Sequence, residues 1–160
     1  MSSLVPDDDR GLNYGEGLFE TIRVADGHAP LLSFHQARMV LGCQRLGLPI
    51  PPSRIAQCLQ QAVRECTAGD RILKVMVTGG SGPRGYAAPR QAQPRWLIRD
   101  SQWRARPATL YQDGIVTGVC QQRLASQLAL AGIKHLNRLE QVRAAEQVRD
   151  RGWDEGLMLD

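Results

Sequence analysis

The stretch AGIKHLNRLEQV, Ala131 to Val142, constrains this chain most. An apolar run ends in a lysine, then a histidine, an asparagine and an arginine follow, and a helical pattern begins. Asn137 is placed to cap that helix, and Glu140 to complete a capping box. Lys134 is therefore expected just outside a helix N-terminus, at the end of a strand-like approach, with ordered structure on both sides. An amine fixed in that way suits a Schiff-base lysine, which must meet an aldehyde at one geometry. A solvated lysine in a strand-to-helix loop has the same local pattern, and most lysines are solvated. The stretch alone leaves both readings open.

A chain of 160 residues holds one full domain, or one domain and part of another. Hydrophobic residues at 42% and charged residues at 22% are ordinary for a soluble globular protein, and aromatics at 5% imply an aliphatic core. The net charge of +4 comes without a basic run or interleaved aromatics, so no nucleic-acid partner is expected. A modest positive field suits an anionic small molecule. Cys43, Cys58, Cys66 and Cys120 form no CxxC and have no zinc spacing, so no metal is expected. Cys43, Cys58 and Cys66 read as small core residues. With no signal peptide or membrane-length apolar run, a cytoplasmic protein with reduced thiols and no membrane partner is expected.

Residues 1 to 13 are polar and acidic and read as a loosely held lead-in. LFETIRVADG then reads as a strand, with Leu18, Ile22 and Val24 facing a core and Phe19, Thr21 and Arg23 on the opposite face. Gly27 closes it with a turn. A helix capped by Ser33 follows, with Phe34, Ala37, Val40, Leu41 and Gln44 at helical spacing and Gly47 as its stop. His35 and Arg38 are neighbours on that helix, and an arginine there can grip a phosphate with two donors. Ser53 is expected to cap a second helix with a stripe of Ile55, Leu59, Ala62, Val63 and Cys66. RILKVMVT and PRWLIRDS read as strands. The Gly- and Pro-rich segment from Gly79 to Arg95 between them reads as a long loop, of the kind that often binds ligands, with Arg84 and Tyr86 its chemically interesting members. Beyond a linker at 103–107, IVTGVCQQRL reads as a strand, and a helix from Arg138 to Arg151 is expected to bury Leu139, Val142, Ala145 and Val148 and to stop at Gly152. GLMLD begins a last strand. The fifty or so residues after the linker are too few for a core of their own, so the second domain is expected to be incomplete in this chain.

Five motifs occur in one order: DRGLNYGEGLFETIRV, HQAR, VTGGSGPRGY, GIKHLNRLEQV and WDEGLMLD. Together they resemble the class IV, fold-type IV pyridoxal-phosphate enzymes, which include branched-chain and D-amino-acid aminotransferases and 4-amino-4-deoxychorismate lyase. KHLNRLEQV is most similar to the lyase branch. The resemblance implies an α+β, two-domain fold: a small N-terminal α/β domain at 1–102, a linker at 103–107, and at 108–160 the beginning of a larger cofactor-binding domain. It implies pyridoxal phosphate as cofactor, a homodimer, and an anionic substrate. Lys134 matches the lysine that holds the cofactor and moves the proton, and Thr21 the threonine beside it. Arg38 matches the arginine that grips the cofactor phosphate. Phe19 and Arg23 lie on the strand that faces the cofactor. Arg84 matches a carboxylate-binding arginine with Tyr86 beside it, and Asn137 and Arg138 match the lyase signature near cofactor or substrate.

The departures also inform. Aminotransferase branches tend to carry a tyrosine where this chain has Leu139, which favours the lyase branch. Gly79 follows Thr78 where relatives often have arginine, so one basic group is missing. The family glutamate that pairs with the pyridine nitrogen follows the EGLMLD region, so it is not carried over to any residue of this sequence. The implied activity is conversion of 4-amino-4-deoxychorismate to 4-aminobenzoate and pyruvate, a step of folate biosynthesis. The rivals are a class IV aminotransferase of D-amino-acid or branched-chain type, a catalytically silent truncated chain, and, on charge alone, a nucleic-acid-binding module.

Overall fold

A computed structural model of the chain describes residues 5–66 and 69–160. The fold is α+β, and the chain divides into two compact units, each described by itself. The first comprises residues up to Trp103 together with Gly132–Leu136, and the second Arg104–Ala131 and Asn137–Asp160.

The first unit is built on an antiparallel sheet of β1 (Gly17–Val24), β2 (Arg71–Thr78) and β3 (Arg95–Gln102), in that spatial order. Phe19 lies opposite Met76 and Met76 opposite Leu97, so alternate residues of all three strands share a face. Leu18, Ile22 and Val24 are buried with Leu73, Val75 and Val77, and the helices α2 (Leu32–Leu46) and α3 (Pro52–Arg64) supply Met39, Cys43, Ile55 and Leu59 to the same core. Asp26 and Gly27 both have positive φ, and Ala25 and His28 exchange backbone hydrogen bonds around them. That is the tight hairpin turn that an Asp-Gly pair favours.

Several local expectations are corrected. The caps of α2 and α3 are Leu31 and Pro51, neither with a side-chain cap bond, so Ser33 and Ser53 lie inside the first turns. Pro52 at the first position of α3 starts that helix because its fixed φ is already helical. The buried side of α2 is Met39, Gly42 and Cys43, whereas Phe34, Ala37, Leu41 and Gln44 are exposed. The lead-in is not loose where it is described: Asp9 is 0% and Arg10 2% exposed, at the start of a short helix α1 (Arg10–Tyr14). Its residues 1–4 lie outside the described residues.

In the second unit a short helix α4 (Thr109–Gln112) precedes β4 (Thr117–Val119), which pairs in parallel with β5 (Glu155–Leu157). The last strand thus finds its partner earlier in the chain. Between them runs α5 (Leu139–Arg151), stopped by Gly152 in the left-handed conformation. Its buried residue is Ala144, while Leu139 is 74% exposed and Val142 and Ala145 are also exposed. Among the described residues no helix is long and apolar enough to cross a membrane.

Candidate functional site

The run before Lys134 is not the expected strand. Residues 128–131 are in turns, and Gly132 takes φ +78, a conformation that ends extended pairing. Pairing begins only at Lys134. Phe19 N–H donates to the Lys134 carbonyl at 2.9 Å, Leu136 N–H donates to the Gly17 carbonyl at 3.0 Å, and Leu18 bridges His135. The segment therefore lies antiparallel along the outer edge of β1, with Lys134 directly opposite Phe19. Opposed residues share a face, and the Lys134 Nζ sits 4.5 Å from the centroid of the Phe19 ring. Lys74 Nζ approaches the same ring at 5.1 Å. Both lysine side chains thus end over the Phe19 ring. Lys74 was not singled out by sequence, because a lysine in an alternating strand carries no signal until the register is known. Thr21, one pleat further along β1, belongs to this face and is exposed. Arg23 follows it, but its guanidinium lies 3.9 Å from the Trp103 ring centroid and pairs with Asp70 at 3.3 Å.

The opposite face of β1 contains Glu20, 1% exposed among Leu18, Ile22 and Val24. Its Oε1 accepts from Arg38 Nε at 2.7 Å and its Oε2 from Arg38 Nη2 at 2.5 Å, while His35 Nδ1 lies 2.8 Å from Oε2. One buried carboxylate thus meets both His35 and Arg38 of the HQAR motif. The hydrogen bonds that Arg38 donates to Glu20 raise its guanidinium above the ordinary pKa, against the opposing effect of partial burial. Those two bonds use Nε and Nη2 of Arg38 and leave Nη1 out of the pair. A carboxylate interrupting an apolar strand face was the available signal for this trio.

Arg84 and Tyr86 lie in the loop after β2, both exposed, Tyr86 at 89%. The loop leaves the sheet beside Gly17, since Thr78 is paired with that residue. Its foot is fixed by Asp9, which caps α1 through Gly11 and Leu12, accepts from Thr78 Oγ1 at 2.9 Å and pairs with Arg95 at 3.1 Å. Asn137 and Arg138 belong to the second unit. Arg138, not Asn137, occupies the cap position of α5 and makes no side-chain cap bond, and Glu140 accepts from Ala125 N–H at 3.1 Å. The expected capping box is absent because the helix starts a residue later than the motif implied. Among the described residues no group of three or more His, Cys, Asp and Glu side chains could hold a metal ion.

The family model for amino-transferase class IV matches residues 17–160. The chain belongs to the class IV aminotransferase family. It is 32% identical over 146 residues to an aminodeoxychorismate lyase of Vibrio harveyi, a match covering 90% of this chain and 53% of the relative. Among solved structures it is similar to 4-amino-4-deoxychorismate lyase of Pseudomonas aeruginosa, with a TM-score of 0.91 and 44% identity over 100% of this chain and 58% of that one. The branched-chain amino acid aminotransferase of Escherichia coli, at 21% identity, shares the fold with a TM-score of 0.85 over 99% of this chain and 55% of that one. The class IV chain thus spans about half the length of these relatives.

Proposed function

We propose that this class IV chain serves a pyridoxal-phosphate-dependent lyase that converts 4-amino-4-deoxychorismate to 4-aminobenzoate and pyruvate. The observation that carries the reading is the placement of Lys134, whose backbone is locked to β1 and whose amine rests on Phe19. Two residues, reached from opposite faces of β1, supply chemistry that the cofactor would need. Lys134 offers an amine at a fixed position, and Arg38 offers Nη1 to a phosphate while Glu20 holds the other side of its fork. Pyridoxal phosphate, when bound, supplies an electron sink for charge developing next to the substrate nitrogen.

The chain's own residues then have separable tasks. The Lys134 amine removes the proton from the ring carbon that bears the amino nitrogen. Positioned proton transfer of this kind contributes about 10² to 10⁴ in rate. Departure of the enolpyruvyl oxygen aromatises the ring, and protonation of the released enol at its methylene carbon gives pyruvate. Thr21, on the Lys134 face, orients or relays a proton. Arg84 pairs with a substrate carboxylate, and Tyr86 and Phe19 line the substrate side; Arg23 is assigned there by the resemblance alone, since Trp103 and Asp70 hold its guanidinium. Asn137 and Arg138 are assigned near cofactor or substrate by the lyase-like motif. The lyase relatives and KHLNRLEQV favour this reading over an aminotransferase.

The test is borohydride reduction of the purified chain after adding pyridoxal phosphate, with peptide mass spectrometry. A pyridoxyl mass on Lys134, with pyruvate released from 4-amino-4-deoxychorismate when no keto acid is present, is the expected result. A folded chain unlabelled at Lys134 overturns the reading. Dependence on an added keto acid assigns the chain to the aminotransferases instead.

A further inference from the structure

The loop after β2 has no regular element, yet its apex is held by two side chains of α1. Arg10 donates from Nη1 to the Gly85 carbonyl at 3.0 Å and from Nη2 to the Tyr86 carbonyl at 2.6 Å, and its Nε pairs with Glu16. Gly85 N–H donates to the Tyr14 hydroxyl at 3.0 Å. The Arg10 guanidinium lies 4.9 Å from the centroid of the Tyr14 ring, and the Tyr14 and Tyr86 rings meet edge to face with centroids 5.5 Å apart. Both backbone polar groups of Gly85 are therefore taken, and Gly85 itself has φ +117, which a side chain would oppose. A Cβ on Gly82 would come within 2.9 Å of Arg10 Cδ, so the loop lies flush along the arginine stem. A guanidinium buried to 2% exposure is tolerated only when it is paired and hydrogen-bonded. Here two of its three bonds go to main-chain carbonyls of the loop, so they hold the loop backbone independently of its side chains.

We propose that Arg10 and Tyr14 are positioning residues for substrate binding: they hold the loop backbone so that Arg84 and Tyr86 are presented in a preformed arrangement to an anionic substrate. This rests on the reading of Arg84 as the partner of a substrate carboxylate. Ordering a loop on binding costs affinity, and a loop ordered in advance avoids that cost.

Tryptic cleavage of the Arg84–Gly85 bond tests it, since the clamp occupies both backbone groups of Gly85. In the cofactor-loaded protein, Tyr14→Phe removes one acceptor and keeps the ring. Cleavage there is expected to speed up about fivefold, the factor one net hydrogen bond corresponds to, with cleavage after the exposed Arg104 unchanged. KM for 4-amino-4-deoxychorismate is expected to rise by a similar factor with kcat held. Arg10→Lys, which keeps a cation for Glu16 but cannot span both carbonyls, is expected to act in the same direction. Unchanged cleavage at Arg84–Gly85 in both variants overturns the proposal, as does faster cleavage with KM unmoved. Arg84→Ala leaves every clamp contact in place. An unmoved KM in that variant removes the reading of Arg84, and the Tyr14 and Arg10 variants still judge the clamp through Tyr86.

Discussion

Glu20 grips Arg38 through both carboxylate oxygens, at 2.7 and 2.5 Å, from the buried face of β1. The pair ties the first half of α2 to the strand whose other face carries Phe19 and Thr21. Removing one partner of a buried pair leaves the other uncompensated, at about 3–5 kcal/mol when both are buried. Arg38 is partly exposed and can be rehydrated, and glutamine keeps one acceptor, so Glu20→Gln is expected to cost about 1–3 kcal/mol in urea unfolding. It is also expected to weaken pyridoxal phosphate binding several-fold by freeing the Arg38 fork. Unchanged affinity in a destabilised Glu20→Gln would show that the pair serves the fold alone.

Gly42 sets how closely α2 approaches β1. A Cβ there would lie 2.7 Å from both methyl carbons of Leu18, a fully buried side chain with little room to turn aside. Overpacking typically costs about 1–3 kcal/mol, and the helix preference of alanine over glycine returns up to about 1. Gly42→Ala is expected to be net destabilising by about 1–2 kcal/mol in thermal or urea unfolding. Leu18→Ala in the same chain should relieve the clash and make Gly42→Ala neutral or stabilising, because the two changes then share one cavity.

Burial pushes the Cys43 thiol up from its ordinary value of 9.0 to about 11. The folded state therefore keeps the proton where the unfolded chain has lost it. The resulting stability is complete below about pH 9 and falls as pH rises through 11. The loss over that window is on the order of 2 kcal/mol. Cys43→Ala is expected to flatten the alkaline limb of urea stability measured from pH 8 to 10.5, even though it lowers stability at neutral pH by removing packing. A limb of the same slope in both proteins would place the titrating group elsewhere.

What could be read from the sequence was whatever rests on strong period or on punctuation. β1 alternates, β2 is a run of β-branched and aliphatic residues, and Gly47 and Gly152 mark helix ends that they do occupy, both in the left-handed conformation. The face of α5 was not legible. That helix carries apolar residues on two sides, Leu139 and Val142 on one and Ala144 and Val148 on the other, and only its packing partner chooses between them. The cap was missed because Asn137 and Glu140 are spaced for a box that forms only if the helix starts directly after the asparagine. Glu20 was missed because attention to the apolar members of a strand face passes over the one charged member. The buried carboxylates Asp9 and Glu20 tie together DRG, HQAR, Thr78 and Arg95, which are far apart in sequence, and such partners appear only once the chain is folded.

Phe19 is the residue that turns a lysine at a strand edge into a placed amine. Lys134 is fixed through its backbone, its side chain has four rotatable bonds, and the ring 4.5 Å from Nζ is one contact that restrains them. A cation over an aromatic face is worth about 0.5–1 kcal/mol where water can reach it. Phe19→Leu keeps an apolar strand residue and removes that face, so Lys134 should sample more rotamers while the antiparallel pairing of its backbone persists. The expected result is a two- to fivefold slower borohydride-trapped modification of Lys134 by pyridoxal phosphate, the factor about 0.5–1 kcal/mol corresponds to. Phe19→Tyr, which keeps the π face, should stay near the unmodified rate. Equal rates for the leucine and tyrosine variants would show that the amine is placed without the ring.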